Sequence, residues 1–472
     1  MKRRWFTAWA VVTVLILAAS APAFALDLKE CLSRGLAHSD RVLAARAEME
    51  QRDQERYAAA TRFLPQVTLQ AHQTWLDVHD TMPDMSLTLP AGLPAEQAAL
   101  FGSMLGQIDF NAFTAVPDHD NDLTLQAYQP LTQIPRLALY DRMASNTAEA
   151  ARLGYRATRD RIALYLAMNY FQALIAEKKT ATLEQALARV ERLETDAQAM
   201  KTQGLITKAD LLKIQMSRSE VALQLKQARS DEAYAKSYLA KLLDLPLAEI
   251  ELRDPPTALA DHRELAWHLE QGERDRPEIQ LTRLQEKIAR ENRAASYLQL
   301  LPDVGAVAAA NWNDDGLDTT PDRTYSAGFV LTWNFWGLGG DVLQSRATAY
   351  AAEKTMHEAR GTRIDLQMSI EKAWRDANLA RESVETNRQV LAQAEENFRI
   401  EQNRYRVGQT TTTDLLGAQT QLTSAQTGYD AASYLAVLAD ASLAAAIGEI
   451  PFQNLRQADD APAAALPSRD RE

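Results

Sequence analysis

A single cysteine, Cys31, stands in a chain of 472 residues. One thiol makes no internal disulfide and no thiolate metal cluster, and Cys31 reads as a small packed side chain on the first helix. Basic residues are also short: 51 Lys and Arg face 63 Asp and Glu, a net charge of −12. A binder of phosphate backbones needs a clustered basic face, so nucleic acid is not an expected partner. The 7 histidines are scattered without a second ligand at helical spacing, so neither a metal nor another cofactor is expected. No nucleophile–base pair stands out, and Gly337, Gly339 and Gly340 lack the lysine of a phosphate loop. No enzyme chemistry is expected. Beyond residue 25 there is no run of 18 apolar residues, so a membrane-spanning helix is not expected. If the mature chain spans a membrane, it does so with strands.

What is present begins with a targeting segment at 1–25. Lys2, Arg3 and Arg4 form its basic region, Ala8 to Ala19 its apolar stretch, and Ala23-Phe24-Ala25 a small-residue cleavage site. The mature chain is expected to start at Leu26, outside the cytoplasm.

From there the chain reads as two copies of one plan. The first covers 26–250. Leu26 to Arg62 is expected as one helix, ended by Phe63-Leu64-Pro65. The period then changes to two over about 66–75, with Val67, Leu69, Ala71 and Trp75 opposite Gln66, Thr68, Gln70, His72 and Thr74. A second alternating segment is expected at about 122–131, after a long irregular loop at 76–121. Asp118-His119-Asp120-Asn121-Asp122, with His79, Met82 and Met85, reads there as a solvated acidic loop before a cation site. A hairpin of long helices follows over about 135–243. The second copy covers 251–456. Leu300-Leu301-Pro302-Asp303-Val304 matches Phe63-Leu64-Pro65-Gln66-Val67 at an offset of 237, as Trp312 matches Trp75. Strands are expected at about 303–312 and 325–335, and helices at about 341–405 and 414–447. In the last helix Leu415, Ala418, Leu422, Ala425, Tyr429, Ala432, Ala436, Ala439, Leu443 and Ala446 alternate steps of three and four, a coiled-coil seam with room for close approach. Residues 457–472 read as a disordered tail.

Each helical hairpin turns on the same motif. Gly204 and Gly408 suit a left-handed helix terminus. Asp210 and Asp414, 204 positions apart, fall near the start of the return helices, where an acid favours exposed N–H groups and the dipole.

A signal peptide is thus followed twice by helix, Leu-Pro, strand, loop, strand, very long helix, glycine turn and return helix. The series resembles the TolC-like outer-membrane efflux protein family over essentially the whole mature chain. It is carried by Leu64-Pro65-Gln66-Val67, Leu301-Pro302-Asp303-Val304, the run Trp333-Asn334-Phe335-Trp336-Gly337-Leu338-Gly339-Gly340, and Arg404-Tyr405-Arg406-Val407-Gly408 with Asp414-Leu415-Leu416 and Ala418-Gln419. The resemblance implies a mixed α/β membrane protein, internally duplicated: a homotrimer whose protomers each give four strands to a shared 12-stranded transmembrane β-barrel, above a long coiled-coil helical barrel in the periplasm of a Gram-negative bacterium. It implies an exit duct for a tripartite efflux pump or a type I secretion system, with a periplasmic adaptor and an inner-membrane pump as partners and outer-membrane lipid around the strands. Two departures stand out. Fold members often carry Pro-Leu-Phe on both inner strands, where this chain has Gln129-Pro130-Leu131 and Trp333-Asn334-Phe335. Some relatives carry a second acid where this chain has Gly417.

In that frame the apolar strand faces meet lipid and the Thr, Gln and Ser faces meet water. Trp75 and Trp312 are expected at the outer interface, and Trp333 and Trp336 at the periplasmic one. Asp414 and Asp210 are gate and selectivity candidates at the tip of the tunnel, opposite the plain reading of helix-terminal acids. Gly204, Leu205, Gly408 and Leu415 are candidate adaptor-docking positions. The competing reading is a soluble periplasmic adaptor or other coiled-coil structural protein, which shares the long helices but needs no lipid-length strands.

Overall fold

The structure is a computed structural model of the chain. It describes residues 25–75, 119–246, 250–254, 263–314, 323–335 and 337–449, with 97, 99, 100, 102 and 103. The targeting segment, Trp336, the C-terminal tail and most of both strand-connecting loops lie outside the described residues.

The elements follow in two runs. The first is β1 (Ala25–Leu26), α1 (Leu28–His38), α2 (Asp40–Thr61), β2 (Gln66–Trp75), β3 (His119–Pro130), α3 (Ile134–Thr202) and α4 (Lys208–Leu242). The second is β4 (Glu251–Leu252), α5 (Leu265–Asp275), α6 (Pro277–Leu298), β5 (Asp303–Asp314), β6 (Arg323–Thr332), α7 (Leu338–Arg406) and α8 (Thr412–Ala446). Corresponding helices have equal lengths: 11 residues for α1 and α5, 22 for α2 and α6, 69 for α3 and α7, 35 for α4 and α8.

The expected single helix from Leu26 to Arg62 is two helices. Ser39 is extended, with φ −71° and ψ 113°, and its carbonyl accepts the Val42 and Leu43 N–H groups that start α2. The equivalent residue, Arg276, has φ −66° and ψ 122° and precedes Pro277. Proline drives its predecessor out of the helical region and suits a first helical position, so the second copy carries the signal that the first lacks. Two strand boundaries also move. β3 begins at His119, so residues 119–121 belong to a strand and not to the acidic loop. β6 ends at Thr332, because Asn334 Oδ1 accepts the Gly337 N–H at 3.2 Å in the turn that leads into α7.

The chain forms two compact units. The first holds Met1–Met49, Ala150–Arg283 and Ala359–Glu472, and contacts in it recur at equivalent positions of the two copies. Gly35 of α1 faces Leu166 of α3, and Gly272 of α5 faces Ile370 of α7; a Cβ on either glycine would run into the apolar side chain opposite. The Tyr170 hydroxyl reaches Leu26 O at 2.9 Å, and Trp374 Nε1 donates to Arg263 O at 3.2 Å. Cys31 is fully buried with Leu28, Leu166, Tyr170 and Phe171, and burial pushes its thiol up to about 12. The thiolate is inaccessible at neutral pH, so Cys31 is a packing residue.

The return helices end alike, with one difference. Asp244 takes φ 51° after α4, and Gly448 takes φ 87° after α8. A Cβ at Gly448 would lie 2.8 Å from Arg276 Cα and 2.9 Å from Asp275 O, both backbone atoms. Asp is among the few side chains that tolerate this region. Gly448→Ala is therefore expected to destabilise by about 2 kcal/mol or more, whereas Asp244→Gly changes stability by less than about 1 kcal/mol. Thermal unfolding of both variants in detergent checks the contrast.

The second unit holds Glu50–Glu149 and Leu284–Glu358. Its sheet is antiparallel throughout, in the order β2-β3-β5-β6. Below it Asn146 Nδ2 donates to Glu291 Oε2 at 2.7 Å and Asn146 Oδ1 accepts from Lys287 Nζ at 3.1 Å, which joins α3 to α6. Ser345 Oγ donates to Ser296 O at 3.0 Å, joining α6 to α7.

Candidate functional site

Register decides what the four strands present together. Leu69 pairs with Leu125, Leu125 with Ala310, and Ala310 with Tyr325; Ala127 pairs with Ala308, and Ala308 with Ala327. Directly opposed residues in a sheet share a face. Apolar residues from all four strands therefore merge into one face, which takes in Val67, Leu69, Leu125, Phe329 and Leu331. On the other face Thr68 pairs with Gln126, Gln126 with Ala309, and Ala309 with Ser326. Gly305 is required on that face, because the Tyr128 ring lies over it where a Cβ would be.

Among the described residues nothing covers the apolar face. Phe329 is 78% exposed and Leu69 66%. A soluble sheet buries one face against another layer, and an uncovered apolar patch on this scale marks an interaction surface. Among the described residues the outermost strands, β2 and β6, each leave one backbone edge unpaired. Among the interface aromatics, Trp75 is 75% exposed at the end of β2, and Trp312 of β5 is half-buried beside Leu123. Trp333 is exposed just past β6, in ring contact with Phe335 at 6.1 Å.

The two turns are built by one mechanism. Gly204 has φ 75° and Gly408 φ 73°. Leu205 N donates to Met200 O at 2.9 Å, and Gln409 N donates to Arg404 O at 2.8 Å, closing the long helices with left-handed caps. A Cβ on either glycine would meet open space, so backbone conformation alone requires glycine there. Each return helix then starts on a reciprocal capping box. Asp210 N donates to Thr207 Oγ1 at 3.1 Å while Asp210 Oδ2 accepts from that hydroxyl at 2.7 Å. Asp414 N donates to Thr411 Oγ1 at 3.2 Å while its Oδ2 accepts from the hydroxyl at 2.6 Å. The Thr411 hydroxyl, and then its N–H, hold the exposed Asp414 carboxyl below the usual carboxylate range. Thr207 does the same for Asp210. Both acids are thus charged helix caps.

The turns meet. Lys213 Nζ donates to Thr413 Oγ1 at 3.1 Å, and Leu416 packs on the cluster of Val190, Ala197, Leu211 and Ile214. Of the docking candidates, Leu205 is exposed, but Leu415 is only 2% exposed and cannot offer its side chain to a partner without repacking. It is a core position because the α8 seam starts there. Sequence reasoning missed the role of Arg189, whose Nε donates to Gln419 Oε1 at 3.1 Å and joins α3 to α8. Gln419 stands 204 positions after Gln215, the offset that also relates Gly204 to Gly408, and that repeat was the available signal. Among the described residues no cluster of His, Cys, Asp or Glu is arranged to hold a metal, and no helix is long and apolar enough to cross a membrane.

A duplicated chain with four strands, two 69-residue helices and two capped turns has the architecture of the TolC-like channel proteins. The family model described as "Outer membrane efflux protein" matches residues 269–449, the second copy from α5 to the end of α8. Outer membrane efflux protein BepC of Brucella suis biovar 1 (strain 1330) is 27% identical over 303 residues, covering 62% of this chain and 64% of that protein. The match thus spans a little under two thirds of that relative's length. The outer membrane protein VceC of Vibrio cholerae aligns with a TM-score of 0.72 at 18% identity, over 89% of this chain and 96% of that one. The open state of the Neisseria gonorrhoeae MtrE outer membrane channel aligns with a TM-score of 0.69 at 14% identity, over 89% of each chain. The structures establish the fold. The second copy of the chain thus resembles the outer membrane efflux protein family, and the whole chain shares the fold of these outer membrane channels.

Proposed function

We propose that the protein is the outer-membrane exit duct of a tripartite efflux pump or type I secretion system, passing substrates from the periplasm or an inner-membrane pump to the exterior. The observation that carries this reading is the single apolar face, bare across four strands, between two unpaired edges. In lipid every backbone group must be paired, so a sheet with open edges spans a bilayer only by closing with other copies. Three copies of four strands make a closed barrel of 12, and the helices then surround a periplasmic tunnel. The paired turns are the surface offered to a periplasmic adaptor, with Gly204, Leu205 and Gly408 foremost. A soluble adaptor has no use for an uncovered apolar sheet.

Purified protein in a planar bilayer tests this directly. A trimeric species with discrete cation-selective currents is expected; a monomer without conductance overturns the duct. Asp414 gives the selectivity arm. Three copies put three carboxylates at the tunnel tip, a ring that favours cations and binds divalent ions. Asp414→Ala is expected to lose Mg2+ block and most cation preference. A depressed pKa keeps the charge above the folded value and loses it only as pH falls through that value. Cation preference is therefore expected to hold from pH 8 to pH 5 and to be lost only at a pH below the ordinary aspartate value of about 3.9. Currents of Asp414→Ala that match the unchanged protein in both respects remove Asp414 from the gate.

A further inference from the structure

A cavity of about 380 Å³ lies between α3, α7 and α8, just inside the turns. Its walls are apolar where Val190, Phe398 and Leu415 meet, yet two polar groups are buried there without partners. Tyr405 is 6% exposed and its hydroxyl has none. Arg189 Nη2 has none either, because Gln419 engages only the Nε of that guanidinium. Gln419 Nε2 in turn donates to Thr423 Oγ1 at 3.1 Å. A buried donor left unsatisfied costs the full desolvation of that group, about 1–3 kcal/mol and more for a charged one. Two such groups in one cavity, each served by its own backbone element, mark a place built for something else.

The chemistry of the missing partner follows from the donors. A guanidinium only donates, and a phenol donates one proton, so the partner is an acceptor. Charge sets its sign. Arg189, Arg192 and Arg406 line the cavity against one acid, Asp196. Burial, and then the neighbouring Arg192 charge, pull the Arg189 guanidinium below its ordinary pKa. We propose that this cavity binds a small oxyanion, a carboxylate or a phosphate, held by Arg189 Nη2 and the Tyr405 hydroxyl. Such a ligand ties α3 to α7 and α8 within one protomer. The proposal does not rest on transport.

Binding is measured on the full chain in detergent. Citrate and inorganic phosphate are titrated against sodium chloride at matched ionic strength, and the thermal unfolding midpoint is read. Binding to the folded state raises the midpoint with concentration, and the stronger of the two anions identifies the preferred group. Tyr405→Phe leaves the ring in place and Arg189→Gln keeps an amide; each is expected to weaken the response about tenfold or more, the worth of a hydrogen bond to a charged group. Arg229→Gln, on the exposed pair with Glu184, leaves it unchanged. Without anion, Tyr405→Phe is expected to be at least as stable as the unchanged protein, since it deletes a hydroxyl with no partner. No anion-specific response, or equal responses in the unchanged protein and Tyr405→Phe, overturns the proposal and assigns both donors to water.

Discussion

Leu125→Lys is expected to abolish assembly, while Gln126→Lys, one residue on, is tolerated. Leu125 lies mid-strand in β3, between Leu69 and Ala310 on the apolar face; Gln126 lies between Thr68 and Ala309 on the polar one. A lysine facing lipid at the bilayer midplane costs about 2–4 kcal/mol, so in the proposed trimer three copies would cost about 6–12 kcal/mol. The same charge on a water-filled face costs little. Trimer yield on unheated gels, with membrane fractionation of both variants, measures the difference. Equal yields for the two, whether high or low, contradict the assignment of the faces. The comparison keeps strand, height and charge the same and changes only the side of the sheet.

The second large effect is expected inside the second coiled pair. Arg381 Nη2 meets Asp440 Oδ1 at 2.5 Å, with side-chain exposures of 18% and 15%, and so fixes α7 against α8. Arg381 Nη1 also donates to Asn378 Oδ1 at 3.0 Å, but Nε has no partner. Asp440→Ala leaves a largely buried guanidinium uncompensated, which costs about 3–5 kcal/mol. Replacing both ends, Arg381→Met with Asp440→Leu, is expected to recover most of the loss, because a well-packed apolar pair often matches a buried ion pair. Denaturant unfolding of the single and double variants separates the cases. A double variant as unstable as Asp440→Ala would show that packing, and not the stranded charge, dominates there.

Much of the site was legible in the sequence because its signals are local. Turn chemistry names Gly204 and Gly408, since positive φ admits little else. Thr207 with Asp210 and Thr411 with Asp414 lie within one helical turn, so spacing alone brings them together. The lipid-length alternation of β2 is likewise written along one strand. The errors came where a local signal was weak. Ser39 breaks a helix without proline, which Pro277 supplies in the other copy. Leu415 sits beside an exposed turn, and its burial depends on what α3 and α7 bring to it.

The sequence by itself determined the duplication, the element order, the turns and the two-faced strands. Each follows from the steric and hydrogen-bonding preferences of neighbouring residues. Only the tertiary structure decided that four separate apolar faces form one, because register is set by pairing between residues as far apart in the chain as Asn121 and Asp314. It alone also set Arg189 against Gln419 and left Tyr405 buried without a partner, because no periodicity along α3 specifies which residues of α7 and α8 will face it.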